Sequence, residues 1–134
     1  MNTSTIINEE ARGFAGIIKN ALLPLNSNPV FKEKFSSISL KILLNASNLD
    51  HAALIIINKG EIGIKSVKNK PPGNLDQNLI GWDAFLEMNS ELFLMLAMNR
   101  LSLLGVMRNW MAGKIKMRGL RKLLTLLKVF KLLS

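Results

Sequence analysis

The sequence contains no cysteine, no tyrosine and only one histidine, His51. Without thiols there can be no disulfide, no thiolate nucleophile and no cysteine-ligated zinc or iron–sulfur centre. A lone imidazole cannot build a multi-histidine metal site, so no metal and no other cofactor is expected. Long apolar runs are missing too. The longest, Leu92 to Met98, falls far short of the roughly 20 residues that a membrane-spanning helix needs. The amino end, Met1-Asn2-Thr3-Ser4-Thr5, lacks the basic flank and apolar core of a secretory signal and, with Asn2, the myristoylation signature. A cytoplasmic protein is the expectation.

Acidic residues are absent from the last quarter. The final acid is Glu91, and residues 99–134 carry Arg100, Arg108, Lys114, Lys116, Arg118, Arg121, Lys122, Lys128 and Lys131. Residues 1–98 hold nine basic and nine acidic side chains, so the whole net charge of +9 sits in this last segment. Apolar residues are abundant, at 49% of the 134, against 20% charged. That is enough to offset the ordering entropy of one domain, which at this length buries about 65–70% of the surface its unfolded chain exposes. Residues 1–134 are therefore read as a single domain.

Asn8 or Thr5 is a candidate start for a helix through Phe14, Ile17, Ile18 and Leu22, with Glu9 and Glu10 where the helix dipole favours acids, ended by Pro24. Asn28-Pro29 reads as an N-cap with proline at the first helical position, opening a short helix through Phe31 and Phe35. From Ile38 the period changes to two. Ile38, Leu40, Ile42 and Leu44 then share one face of a strand, with the other face solvated. Leu54 to Ile57, the hairpin signal Asn58-Lys59-Gly60, and Ile62 to Val67 complete a β-meander. Asn69 to Asn74 holds two prolines and a glycine and must be a loop.

Ile80 to Met88 reads as a fourth strand, after which Asn89 or Ser90 caps a helix running from Glu91 to Arg100. A short helix through Val106, Trp110 and Met111 follows. Lys114 to Arg118, bracketed by Gly113 and Gly119, alternates cations with apolar residues as a strand with one solvated face does. Leu120 to Leu133 is about 21 Å long if helical. Arg121, Thr125 and Lys128 form one stripe, flanked by Lys122 and Lys131, and Leu120, Leu123, Leu124, Leu127 and Phe130 form the opposite face.

Catalytic constellations are scarce. Asp50-His51 are neighbours in a turn, which is poor geometry for an acid–base pair, and no nucleophile elbow, P-loop or dinucleotide glycine pattern occurs. Strand alternation puts Asp83 and Glu87 on one exposed face as solubility residues. The protein is not expected to be an enzyme.

The basic segment admits three readings: a solvated face, a nucleic-acid patch or a membrane contact. Nucleic acid is disfavoured, because stacking aromatics near the cations are limited to Trp110 and Phe130. An anionic leaflet suits the charge and the wide apolar face better, at about 1 kcal/mol per basic side chain. Six of the seven methionines, at 88, 95, 98, 107, 111 and 117, lie in the second half of the chain. Flexible thioethers suit either a core or an irregular ligand cavity.

Two segments resemble the sterol carrier protein type 2 family. Trp82-Asp83-Ala84-Phe85-Leu86-Glu87-Met88-Asn89-Ser90-Glu91-Leu92-Phe93-Leu94 passes from strand through a cap into an acidic-then-aromatic helix start. Trp110-Met111-Ala112-Gly113-Lys114-Ile115-Lys116-Met117-Arg118-Gly119 is similar to the family's bulky–bulky–x–Gly–Lys–apolar–Lys–apolar–x–Gly segment. The likeness spans roughly residues 10–130 and is strongest over 82–124.

The resemblance implies an α+β domain, with a five-stranded, mainly antiparallel twisted sheet covered by helices and an apolar tunnel between them. Phe93, Leu96, Ala97, Met107, Trp110, Met111 and Ile115 would line that tunnel, and Leu120, Leu123, Leu124 and Leu127 would belong to the helix that closes it. Arg121, Lys122, Lys128 and Lys131 would meet head groups or a membrane. The implied function is non-enzymatic binding and transfer of fatty acyl chains, acyl-CoA, sterol or isoprenoid-like lipids. The alternative is an accessory module docking through its basic C-terminal segment to an enzyme of lipid or quinone metabolism.

Overall fold

The computed structural model describes residues 7–8, 10–11, 13–97 and 103–132. Ile7–Asn8 form a two-residue strand, β1, at the place where the sequence predicts the start of a helix. Helix α1 spans Phe14–Leu22 and buries Phe14, Ala15, Ile18 and Leu22. A 3₁₀ turn at Leu23–Ser27 carries Pro24. Helix α2, Pro29–Lys34, starts as expected: the Asn28 side chain accepts hydrogen bonds from the backbone of Val30 at 2.9 Å and Phe31 at 3.3 Å.

The meander follows as β2 (Ser39–Ala46), β3 (His51–Asn58) and β4 (Glu61–Lys68). Lys59 and Gly60 both have positive φ, 48° and 82°, the conformation a two-residue hairpin loop uses to match strand twist. The expected fourth strand is shorter than its alternation suggested. Gln77–Ile80 form a one-turn helix, α3, ended by Gly81 in the left-handed region, and β5 begins only at Ala84 and runs to Met88. Helix α4 (Ser90–Ala97) is capped by Asn89, whose side chain accepts from Leu92 N at 2.9 Å. Helix α5 (Leu103–Met111), strand β6 (Lys116–Arg118) and helix α6 (Leu120–Lys131) complete the order.

The strands form one sheet in the order β1-β4-β3-β2-β5-β6. The five strands expected from the sequence, β2 to β6, are all present, and β1 extends the edge beside β4. All neighbours are antiparallel except β2 and β5, which run parallel with Ile42 opposite Ala84. The sheet is therefore mixed, and the architecture is α+β.

Both faces of the sheet are buried at its centre. One face, with Ile42, Leu44, Ile55, Ile57 and Leu86, packs against Phe14, Ile18, Phe31, Phe93, Leu126 and Val129 of the helices. The other, with Leu43, Ala52, Leu54 and Val67, is covered by Leu75, Ile80 and Trp82 from the loop between β4 and β5. The expected solvated face of β2 holds at Ser39 and Lys41, which are exposed, and fails beyond them: from Ile42 to Ala46 every residue is buried. The loop is held by polar side chains. Trp82 Nε1 donates to Leu75 O at 2.8 Å, and Asn69 Nδ2 donates to Asn45 Oδ1 at 2.9 Å and Leu49 O at 2.8 Å.

Gly119 sets the turn from β6 into α6. Its φ is 74°, and a Cβ there would lie 2.8 Å from Asp83 O. Only glycine takes that conformation without strain and leaves the backbone room to approach β5.

Candidate functional site

Helix α6 lies over the helix-covered face with Leu123, Leu126, Val129 and Phe130 buried. Its stripe of Thr125, Lys128 and Leu132 does not simply face solvent. Together with Lys131 it forms one wall of an open groove of about 490 Å³, whose other wall is Lys34, Phe35 and Ile38 at the α2–β2 junction. Phe35 belongs to the main core, and Ile38 and Leu132 pack against it, so the floor of the groove is continuous with the core. The rim carries three lysines, and no acidic side chain lines the groove among the described residues. An apolar floor beneath ammonium groups is suited to an amphiphile with an apolar tail and an anionic head.

A second open groove, of about 770 Å³, lies on the loop-covered face, where Trp82 and Phe85 meet Trp110 and Ile115 beside β6. It bears charges of both signs, Asp76 and Glu87 against Lys116 and Arg118. Its acids already have structural work. Glu87 accepts from Asn45 Nδ2 at 2.6 Å and lies 3.5 Å from Lys116 Nζ, and the Asp76 side chain caps α3. Asp83, expected to be a plain solubility residue, instead extends the β2–β5 ladder: Lys41 N donates to its Oδ2 at 2.8 Å and its own N donates to Lys41 O at 2.7 Å.

The residues expected around a tunnel are distributed unevenly. Phe93 is fully buried and its ring centroid lies 5.0 Å from that of Phe14. Ile115 and Leu123 are buried, and Leu127 packs against the core from a half-buried position. Trp110, in the second groove, and Met111, Leu120 and Leu124 are all exposed. The side chains of Leu96, Ala97 and Met107 lie outside the described residues. Arg121 and Lys122 are exposed on α6, Lys122 being 3.9 Å from Asp83 Oδ1, and Lys128 and Lys131 line the first groove. Lys34, Phe35 and Ile38 escaped the sequence reading. The only local signal was a lysine–phenylalanine pair closing the Asn-Pro helix, and such a pair says nothing about the helix facing it.

No metal cluster of three or more His, Cys, Asp or Glu side chains occurs among the described residues. Nor, among them, is any helix long and apolar enough to cross a membrane.

No family model matches the sequence, and no curated protein matches it. Solved structures do. The chain is similar to a UbiJ-SCP2 ubiquinone synthesis protein, with a TM-score of 0.63 at 10% identity over 89% of each chain. It is similar to a conserved hypothetical protein of Thermus thermophilus, suggested to be a sterol carrier protein, with a TM-score of 0.56 at 15% identity, covering 95% of this chain and 93% of that one. Apo sterol carrier protein 2 of Yarrowia lipolytica gives a TM-score of 0.55 at 19% identity, covering 92% and 94%. The fold is that of a sterol-carrier-protein-like domain, as the Trp82–Leu94 and Trp110–Gly119 segments implied.

Proposed function

We propose that this protein is a non-enzymatic carrier that binds and transfers lipids with an anionic head, such as fatty acids or acyl-CoA, with α6 closing over the bound tail. The observation that carries the reading is the groove between the α2–β2 junction and α6. Phe35, Ile38 and Leu132 supply an apolar floor that joins the core, and Lys34, Lys128 and Lys131 supply a cationic rim. Each methylene moved from water into such a site contributes about 0.8 kcal/mol, so a medium acyl chain needs no covalent chemistry to bind usefully. The engagement of Asp83 and Glu87 in holding the sheet also supports a binding role over a catalytic one.

Native mass spectrometry of protein purified without detergent tests the carrier reading directly. A co-purifying lipid is expected. Absence of any lipid, together with no micromolar binding of a fluorescent acyl probe, would sink it. Within the reading, the double substitution Lys34→Glu and Lys128→Glu is expected to weaken binding of a fatty acid about five- to tenfold, while the corresponding fatty alcohol binds as before.

The likeness to the UbiJ-SCP2 protein favours a second reading, an accessory module for an enzyme of lipid or quinone metabolism. Here the basic C-terminal helix would meet the enzyme and the groove would present an isoprenoid-like substrate. Deleting residues 120–134 separates the two. Loss of ligand with the fold intact supports the closing role of α6, whereas loss of a partner with ligand retained supports docking.

A further inference from the structure

Among the described residues, four of the seven exposed large apolar side chains fall between positions 110 and 124: Trp110, Met111, Leu120 and Leu124. Met111 is 83% and Leu120 55% exposed. The same stretch carries Lys114, Lys116, Arg118, Arg121 and Lys122 and no acid. Helical spacing stacks Leu120 and Leu124 one turn apart on α6, with Arg121 and Lys128 together on the neighbouring stripe. The core-facing side of the same helix is already filled by Leu123, Leu126, Val129 and Phe130. Burial in the domain therefore accounts for one face of α6 and leaves Leu120, and Leu124 at 39% exposure, open to solvent beside cations.

We propose that the outer face of α6, centred on Leu120, Arg121, Leu124 and Lys128, docks onto an anionic lipid leaflet. A helix that lies in the membrane interface needs apolar side chains to enter the acyl boundary and cations to meet the head groups. Both are present on one side of this helix. Each basic side chain held near an anionic surface contributes about fivefold in affinity. An acidic protein patch would match the cations but leave the exposed leucines unexplained. The inference goes beyond ligand binding: Leu120, Arg121 and Leu124 lie outside the lining of the groove, and docking does not require the groove to be filled.

The test is co-sedimentation of the lipid-stripped full chain with vesicles of phosphatidylglycerol and phosphatidylcholine, against vesicles of phosphatidylcholine alone. Binding is expected to the anionic vesicles only, and it should fall as salt rises. Leu120→Ser with Leu124→Ser should abolish it, and Arg121→Glu should weaken it by about tenfold or more. Both positions are exposed, so far-ultraviolet circular dichroism should stay as in the wild type. Affinity of Arg121→Glu for the acyl probe should also be unchanged, which separates failure of docking from failure of the groove. Equal binding to both vesicle types, no binding to either, or anionic-vesicle binding that survives these substitutions would each overturn the assignment. Capture of an acidic protein without vesicle binding would do so in favour of a protein partner.

Discussion

The two faces of the sheet are covered by different means. On one, Leu44, Ile55, Ile57 and Leu86 meet helices α1, α2, α4 and α6, which bring Phe14, Phe31, Phe93 and Val129 into a continuous core. On the other, Leu43 and Leu54 lie under a loop whose contribution is Leu75, Ile80 and Trp82, held by side-chain hydrogen bonds from Asn69 and Trp82. The helix-covered face adjoins the lysine-rimmed groove, and the loop-covered face adjoins the groove of mixed charge. Helices α2 and α6 each bury one face in the core, through Phe31 and through Leu123, Leu126, Val129 and Phe130, and the lysine-rimmed groove lies between α6 and the α2–β2 junction. The loop brings three buried apolar side chains, and the Asn69 amide nitrogen and the Trp82 indole are occupied in holding it to the sheet.

The contrast is sharpest for one substitution made on each face. Leu44→Ala, on the helix side, is expected to cost about 3–5 kcal/mol, because the surrounding helices cannot collapse into the cavity. Leu54→Ala, under the loop, should cost nearer 2–3 kcal/mol, because the loop can settle. Urea denaturation of the two variants measures both, and equal losses would break the distinction between a rigid and a yielding cover.

Asn69→Ala removes two hydrogen bonds and leaves the buried Asn45 Oδ1 without its donor. A loss of about 1–3 kcal/mol is expected. Faster hydrogen exchange should accompany it, confined to β2, β3 and the loop.

The smallest effect belongs to Asp50. Its carboxyl is held below the usual carboxylate range, first by the hydrogen bond from Lys70 and then by the charge of that ammonium, at 2.8 Å. A depressed carboxyl stabilises the fold above its unfolded-state pKa, and the contribution disappears as pH falls through the folded value. The pair is exposed and screened by solvent. Asp50→Asn should therefore lower stability slightly at neutral pH in low salt and leave it unchanged in high salt. A loss that persists in high salt would show that the loop depends on this pair.

Much of the fold was legible because it depends on local chemistry. Asn28-Pro29 specifies a helix start through side-chain capping and a fixed φ, and Asn58-Lys59-Gly60 marks a hairpin in which Gly60 takes positive φ freely and Lys59 takes it at 48°. Alternation in Ile38–Leu44 and Ile62–Val67 marked strands. The reading failed where local preference was overridden. Ile80–Met88 alternates throughout, yet Gly81 ends a one-turn helix before the strand begins. Ile7–Asn8 pair with Val67 and Ser66 and so become sheet, although Glu9 and Glu10 looked like the acids of a helix start.

The basic, apolar C-terminal segment shows where sequence stops and tertiary structure takes over. Composition and spacing alone predicted an amphipathic helix over Leu120 to Leu133, with Arg121 and Lys128 on one stripe and no acid within the segment, because charge and helical period are properties of the chain. Which leucines enter the core was decided only by packing. Leu123 and Leu126 are buried while Leu120 and Leu124 remain exposed, because Gly119 launches the helix at a fixed place against β5 and so sets its rotation over the sheet. The groove likewise exists only in three dimensions. Lys34, Phe35 and Ile38 stand some ninety residues from Thr125, Lys128 and Leu132 in sequence, and no local pattern reports that they face one another.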